Sequence, residues 1–175
     1  LSANFNHTDI NLLFPFSFIN DEPLQAGIYH NNQAEFGFQS DQRRLFSLQG
    51  QLAYGSFYEG TRTQYMLQVK FRAQPWGNFS VNFEQNDLVF PDPYGSDNLF
   101  LINPRIEINF SRSLFWTTFL QYNTQWDNFN INSRIQWRFA PMSDLYIVYT
   151  DNYAVEVWGP KNRALAIKLN YWFSL

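Results

Sequence analysis

The chain has no cysteine, few charged residues and no long apolar run. Because cysteine is absent, neither disulfides nor thiolate metal sites can form. Charged residues make up 15% of the chain and the formal net charge is −3, so the basic face of a nucleic-acid-binding domain is missing and nucleic acid is not an expected partner. No apolar run approaches the roughly 18 residues of a transmembrane helix. This does not exclude a membrane β-barrel, because barrel strands alternate and average out as polar.

Aromatic residues are abundant, at 20% of the chain, and the C-terminal segment shows how they are arranged. Residues 163–175 read RALAIKLNYWFSL, with an apolar residue at every second position from Leu165 to Leu175. This period of two predicts a β-strand. Soluble strands usually have about 5–6 residues, whereas a tilted strand that crosses a bilayer needs about 9–11. The length and the aromatic end are typical of the last strand of a bacterial outer-membrane barrel.

Similar alternating runs follow one another along the rest of the chain, and no stretch keeps the apolar spacing of a helix. A strand is predicted within Ser2–Phe16 and another near Gln25–Gln39. The remaining predicted strands are Leu45–Tyr58, Thr63–Gln74, Phe79–Phe90, Leu99–Phe110 with Pro104 inside it, Leu114–Trp126, Phe129–Phe139, Leu145–Thr150 and Arg163–Leu175. The total is about ten strands.

The predicted connections fall into two sets. If the C-terminus is periplasmic, the inner turns are Ser40–Arg44, Pro75–Asn78, Ser111–Ser113 and Ala140–Asp144. All four are tight and rich in turn-forming residues. The outer loops are then Glu59–Arg62, Pro91–Asn98, Asp127–Asn128 and Asp151–Asn162. Two of these are clearly longer than the inner turns, in partial agreement with outer-membrane barrels.

Each predicted strand has an apolar face and a polar face. On the apolar face, aliphatic residues occupy the middle of the strands and aromatic residues the ends, as the two membrane interfaces require. The interface aromatic residues are predicted to be Trp116, Tyr122, Trp126, Trp137, Tyr149, Tyr171 and Phe173. The apolar face carries almost no charge, with Asp87 as the main exception. A soluble, lipocalin-like barrel with an apolar interior is the alternative, and the aromatic distribution argues against it.

If the apolar face meets lipid, the polar face lines the lumen of a barrel. Its charged residues are six cations and two carboxylates: Lys70, Arg72, Arg105, Arg134, Arg138, Lys168, Glu84 and Glu107. One interpretation is a weakly cationic path for anions or for hydroxylated solutes such as sugars. The other is that Glu84 and Glu107 pair with neighbouring Arg and Lys, while amides bond to each other and to water. A barrel of so few strands favours the second, since the interiors of narrow barrels are filled by side chains.

Catalysis and metal binding are not expected from the sequence. The chain has two histidines, His7 and His30, and neither follows a catalytic spacing. An outer-membrane hydrolase would have to pair His30 with Asp21 or Asp151, which the spacing does not support. There is no P-loop, no Gly-rich dinucleotide fingerprint and no metal-ligand cluster along the sequence, so neither a cofactor nor a metal is predicted.

About the last 140 residues resemble a bacterial family, and the likeness is most specific in their final third. Residues 119–152, FLQYNTQWDNFNINSRIQWRFAPMSDLYIVYTDN, and residues 162–173, NRALAIKLNYWF, are similar to the C-terminal barrel of outer-membrane proteins in which a family-9-like carbohydrate-binding module precedes a large barrel domain of unknown function. The shared motifs are Gln121-Tyr122-Asn123, Asn132/Arg134/Trp137, Pro141/Ser143/Asp144, Val148-Tyr149 and Lys168-Leu169. Residues 38–58, FQSDQRRLFSLQGQLAYGSFY, also resemble this family. The carbohydrate-binding module is absent here, so the resemblance implies no sugar-binding activity.

The family barrel has more strands than this chain, which implies that these strands are the C-terminal part of a larger barrel. The sequence also lacks an initial methionine and a signal peptide, so we expect a mature product or a piece of a longer protein. Unpaired strand edges are not tolerated in lipid. Either the strands therefore close on themselves, or a partner completes the ring.

We predict an all-β, antiparallel transmembrane β-barrel in the bacterial outer membrane, with residues 1–175 forming a single domain or the C-terminal portion of one. The preferred function is a pore or uptake channel for small polar or anionic solutes. The alternative is a structural or docking subunit of an outer-membrane assembly, and an enzyme is not expected. The predicted partners are the bilayer and lipopolysaccharide, the barrel-assembly machinery through the C-terminal strand, and other outer-membrane proteins or the remainder of a larger barrel.

Overall fold

A computed structural model describes residues 1–17, 22–157 and 159–173, and these residues form an all-β structure. Ten strands follow one another along the chain, and no helix occurs in the described ranges. The strands are β1 Ser2–Leu12, β2 Gly27–Gln39, β3 Phe46–Phe57, β4 Gly60–Ala73, β5 Gly77–Val89, β6 Ser96–Asn109, β7 Leu114–Asn123, β8 Asn128–Ala140, β9 Ser143–Ala154 and β10 Gly159–Asn170. The described residues accordingly contain no helix of the length and apolarity that membrane spanning requires.

The strands form one sheet in which each strand lies beside its neighbours in sequence, in the order β1 to β10. β1 and β2 pair along their whole length, from Ser2 opposite Gly37 to Leu12 opposite Gly27. Within the described ranges, β1 pairs only with β2 and β10 only with β9, so the sheet is open at both edges. The predicted antiparallel β-structure is thus confirmed, but the sheet is not closed into a ring.

The predicted strands are all present, and the connection that differs most from its prediction is the one between β9 and β10. Residues 151–162 were expected to form an outer loop. Instead Asp151 pairs with Arg163, and the ladder continues to Ala154 opposite Gly159. The predicted loop is therefore reduced to the residues between Ala154 and Gly159, because backbone pairing extends beyond the last apolar residue of the alternating pattern.

The C-terminal strand ends earlier than predicted. β10 ends at Asn170, residues 171–173 follow it outside the strand, and residues 174–175 lie outside the described part of the chain. The strand predicted to reach Trp126 likewise ends at Asn123, so this tryptophan lies in the β7–β8 turn. Aromatic residues extend the alternating pattern past the point where backbone pairing stops, which accounts for both differences.

Pro104 lies inside β6, as predicted. Because proline lacks a backbone N–H, it cannot donate to the ladder. The pairing of β6 with β7 is interrupted at this point, with Ile102 opposite Tyr122 before the gap and Arg105 opposite Phe119 after it. The strand continues in the same register, so the proline removes ladder contacts without ending the strand.

The connections alternate between two ends of the sheet. We call upper the end that carries the connections after β1, β3, β5, β7 and β9, and lower the opposite end. The upper connections are residues 13–26, 58–59, 90–95, 124–127 and 155–158, and the lower ones are 40–45, 74–76, 110–113 and 141–142. Each predicted connection overlaps one of these. In the two-residue connections, Tyr58 and Met142 have φ of 52° and 57°, the left-handed backbone that tight hairpin turns use.

The chain divides into two compact units. The first comprises residues 1–41, 48–68 and 83–100, and the second comprises residues 42–47, 69–82 and 101–175. The first unit has a small apolar core of Leu24, Leu88 and Phe90 at the upper end of its strands. In the second unit, the buried side chains of the described residues are polar: Ser47, Thr118, Ser143 and Asp151.

Candidate functional site

The apolar face is exposed on most strands. Phe5 on β1, Leu52 on β3 and Ile167 on β10 are 70%, 41% and 68% exposed. Other exposed apolar-face residues are Phe36, Tyr54, Tyr65, Leu67, Phe71, Phe79, Ile135, Trp137, Leu165 and Leu169. On β3 the polar-face neighbour Ala53 is, by contrast, fully buried. Soluble monomers rarely expose contiguous apolar patches larger than a few hundred Å², so the exposure of this face is unusual for a soluble monomer.

The predicted interface aromatic residues lie near the strand ends, with one exception. Trp116, Trp137, Tyr171 and Phe173 are at or just beyond the lower ends of their strands, and Tyr122 and Trp126 are at the upper end. Trp116 Nε1 donates to Ser133 Oγ at 2.8 Å, and the rings of Phe139 and Tyr171 are stacked 6.4 Å apart. Tyr149 was expected at an upper end, but it lies in the middle of β9 because this strand extends to Ala154.

Both carboxylates predicted on the polar face have partners. Glu84 Oε1 accepts hydrogen bonds from Gln64 Nε2 at 2.8 Å and from Asn86 Nδ2 at 3.0 Å. Glu107 Oε1 accepts from Arg105, whose Nε and Nη2 atoms lie 2.8 and 2.6 Å away, and its Oε2 accepts from Asn78 Nδ2 at 3.2 Å. Glu107 thus pairs with an arginine, as the second interpretation predicted, whereas the partners of Glu84 are amides.

Four charged residues of the polar face were missed by the sequence reasoning. Asp144 accepts from Gln136 Nε2 at 2.9 Å and lies 3.4 Å from Arg138 Nε. Arg62 donates to Gln33 Oε1 at 3.1 Å. Glu35 occupies a polar-face position of β2, and Asp97 occupies one at the upper end of β6. Continuing the period of two through the strand ends would have identified all four.

The charge balance of the polar face is therefore less cationic than predicted. Arg62 adds one cation to the predicted set, whereas Glu35, Asp97 and Asp144 add three carboxylates. Four cations remain without a side-chain hydrogen bond or ion pair within the described residues: Lys70, Arg72, Arg134 and Lys168. Arg72, Arg134 and Lys168 are exposed, and Lys70 is half-buried. The N–H donors of these four side chains are therefore available to a bound anion.

An apolar cluster covers part of the polar face at the upper end. Leu24, in the β1–β2 connection, is only 2% exposed. The connection is held by backbone hydrogen bonds in both directions between Phe16 and Leu24, at 3.1 and 2.9 Å. Leu24 packs with Leu88 and Phe90, and five further residues surround these three: Leu12, Phe57, Tyr58, Tyr94 and Leu99. The connection after β1 therefore folds over the upper strand ends of its own unit.

Polar clusters mark the upper end of the apolar face. On β5, Asp87 accepts from Gln85 Nε2 at 3.0 Å and also from Asn98 Nδ2 on β6. On β9, Asp151 is 2% exposed, and its Oδ2 accepts from Tyr149 at 2.5 Å and from Arg163 Nε at 2.8 Å. Below these clusters the apolar face has no charged side chain on β5, β9 or β10. The uncharged band thus has a defined upper limit.

The residues considered for catalysis have other partners. His30 Nδ1 lies 2.6 Å from Asp9 Oδ1. Asp151 Oδ2 accepts hydrogen bonds from Tyr149 and Arg163. Asp21 lies outside the described residues. No nucleophile lies beside the His30–Asp9 pair among the contacts described. The geometry of this pair therefore provides an acidic and a basic group without the third member of a hydrolytic triad.

Comparison of the chain with protein-family models, with curated proteins and with solved structures finds no match. The structure by itself defines the fold class: the described residues form ten antiparallel strands, with an exposed apolar face and a hydrogen-bonded polar face.

Proposed function

We propose that the protein is a bacterial outer-membrane β-barrel whose apolar face contacts lipid and whose polar face lines an aqueous lumen. The observation that carries this proposal is the exposed apolar face, which has no charged side chain on β3, β4 and β8 and has aromatic residues at both ends of β8. Burying a Leu, Ile or Phe side chain is worth about 1.5–3 kcal/mol. Lipid therefore stabilises a chain that leaves so many of these side chains exposed.

Closure of the ring belongs to the same proposal. β1 and β10 each carry an unpaired row of backbone N–H and C=O groups in the described structure, and in lipid each unsatisfied group costs several kcal/mol. We infer that further strands pair with these edges, from a second copy or from another part of an assembly. Pairing with further strands agrees with the larger barrel that the family resemblance implies. Other outer-membrane proteins therefore remain proposed partners.

A pore or uptake channel for small anionic or polar solutes is the preferred function. Its support is the set of four cations without side-chain partners: Lys70, Arg72, Arg134 and Lys168. They face a surface otherwise made of amides and paired carboxylates, on which an anion could exchange water for N–H donors. In a wider ring completed by other strands, these side chains would line an open passage.

A structural or docking subunit is the second candidate, and one specific observation favours it. The apolar cluster around Leu24 folds over the upper strand ends and would narrow the lumen there. A ring closed by this chain alone would also be narrow and filled by side chains. Under this proposal the edge strands β1 and β10 and the loops of the protein contact other subunits of an assembly. The protein would then conduct no ions.

Single-channel conductance with a charge-removal series distinguishes the two candidates. In planar bilayers, the pore predicts stable conductance with a reversal potential that favours anions. Replacing Lys70, Arg134 and Lys168 by Gln should lower the anion-to-cation permeability ratio by on the order of twofold. Arg112→Gln is the matched control, because Arg112 is an exposed residue of the lower β6–β7 turn. Protein that inserts into the bilayer and keeps its heat-modifiable electrophoretic mobility, but does not conduct ions, would contradict the pore and support the docking role.

A further inference from the structure

The two histidines of the chain, His7 and His30, come together on the β1–β2 hairpin. Asp9 lies opposite His30 and His7 opposite Asn32 in the register, so all four side chains are on one face. Asp9 Oδ1 lies 3.0 Å from His7 Nε2 and 2.6 Å from His30 Nδ1, and the imidazole rings are nearly parallel, with centroids 6.2 Å apart. The cluster is exposed, on the upper half of the apolar face.

Asn32 determines which nitrogen of His7 is available. His7 Nδ1 lies 2.8 Å from Asn32 Oδ1. With the Asn32 amide in this orientation its oxygen only accepts, so His7 Nδ1 carries the proton. In neutral His7 the lone pair of Nε2 then points at the Asp9 carboxylate. Two electron-rich atoms 3.0 Å apart need either a proton or a metal cation between them.

We propose that His7 Nε2, Asp9 and His30 Nδ1 bind a divalent transition-metal ion of the Zn²⁺ class. The three ligand atoms all lie within 4.8 Å of one another, and exposed side chains need only small rotations to reach the coordination distances of about 2.0–2.2 Å. Two imidazoles and one carboxylate suit zinc, copper or nickel better than magnesium or calcium, which prefer oxygen ligands.

Asn32 supports the same assignment. A metal-bound histidine usually donates its other ring N–H to a carbonyl or carboxylate oxygen, which fixes the tautomer and the ring orientation. Asn32 Oδ1 is in that position relative to His7. Three protein ligands leave at least one coordination position open to water or to an external ligand. In the proposed barrel this position faces outward from the β1–β2 hairpin, between the middle of β1 and the upper ends of the two strands.

The consequence for the fold is a bridge between an edge strand and its neighbour. His7 and Asp9 belong to β1, and His30 belongs to β2. Metal binding would therefore hold β1 to the sheet by side chains in addition to its backbone ladder. The proposed metal site consists of these residues alone and is therefore independent of the pore and of the lumen.

Calorimetric titration with ZnCl₂ tests the site on the metal-free protein in detergent. The wild type should bind one ion per chain, with affinity that falls as the pH is lowered, since protons compete for the imidazoles. Asp9→Asn and His30→Gln should each weaken binding by at least about tenfold. Glu35→Gln is the matched control, because it removes a carboxylate from the opposite face of the same hairpin, and its affinity should equal that of the wild type.

X-ray absorption at the zinc edge provides a readout that a merely structural change would not produce. The chain has no cysteine and only two histidines, so imidazole scattering from bound zinc identifies His7 and His30 directly. A wild type that binds zinc no more tightly than the His7→Gln/His30→Gln double variant would overturn the proposal. Binding with oxygen ligands alone, or equal binding of Mg²⁺, would overturn it as well. Circular dichroism of each variant confirms that the β-structure is retained.

Discussion

Gly77 shows how closely two strands approach at the lower end. It is a buried glycine at the start of β5, and an added Cβ would collide with the backbone oxygen of Glu107 and lie within 3.3 Å of Ile108 Cα. Neither backbone atom can move as the end of a flexible side chain could. The same stretch of β6 holds Glu107, whose carboxylate binds Arg105 and Asn78. The close approach of β5 to β6 at Gly77 therefore also brings Asn78 within hydrogen-bond distance of Glu107 on the polar face.

Gly77→Ala is expected to destabilise the protein by about 1–3 kcal/mol, the usual cost of forcing atoms into a packed region. Urea unfolding in detergent, followed by tryptophan fluorescence, measures this directly. Gly27→Ala serves as control, since its added Cβ would meet only the Tyr29 ring at 4.0 Å. An equal loss of stability in both variants would show that glycine flexibility matters rather than the close approach to Glu107.

At the scale of single residues, the sequence predicts which face a side chain occupies but not its partner. Period two is sufficient to assign Glu84 and Glu107 to the polar face. The hydrogen bond from Gln64 to Glu84 depends on how β4 and β5 are aligned, which no local pattern encodes. The His7–Asp9–His30 cluster was not predicted for the same reason, because two distant segments become adjacent only through the register of β1 and β2.

At the scale of elements, the alternating pattern predicts the strands well and their ends poorly. Existence and order of the strands follow from side-chain alternation, which is strong because each strand has one apolar face. The ends depend on backbone pairing instead. β9 therefore extends past Thr150 through the pair of Asp151 and Arg163, whereas β10 ends at Asn170 although the aromatic pattern continues.

A pair of arginine substitutions on β10 tests which face contacts lipid. Ile167 is on the apolar face and its neighbour Ala166 on the polar face, and both are exposed. In a membrane barrel Ile167→Arg should cost about 2–4 kcal/mol of unfolding free energy in lipid vesicles, because a charge near the bilayer midplane is destabilising. Ala166→Arg should cost far less.

If β10 lies in water instead, the expected result is different. An exposed isoleucine in water tolerates arginine, since surface substitutions usually change stability by no more than about 0.5 kcal/mol. Equal and small effects of Ile167→Arg and Ala166→Arg in vesicles would therefore place β10 outside the bilayer and contradict its membrane-facing role.

At the scale of the whole molecule, the sheet has ten strands and two free edges. Soluble proteins protect edges with charges, prolines or bulges. β10 has a bulge between Pro160 and Asn162 near its upper end, but apolar side chains occupy alternate positions from Leu165 to Leu169. Edges of this kind are suited to pairing with another strand. We therefore expect the functional particle to contain more strands than this chain.

Site-directed spin labelling tests the membrane barrel most directly. The chain has no cysteine, so single cysteines can be introduced in pairs of adjacent residues: Leu67 with Gln68 on β4, and Ile167 with Lys168 on β10. In lipid vesicles, labels at Leu67 and Ile167 should be accessible to oxygen dissolved in the bilayer, and labels at Gln68 and Lys168 to a water-soluble nickel complex. Alternation of this kind on both strands would establish that the apolar face contacts lipid. Accessibility of all four positions to the nickel complex would show that the strands lie in water and would contradict an outer-membrane barrel.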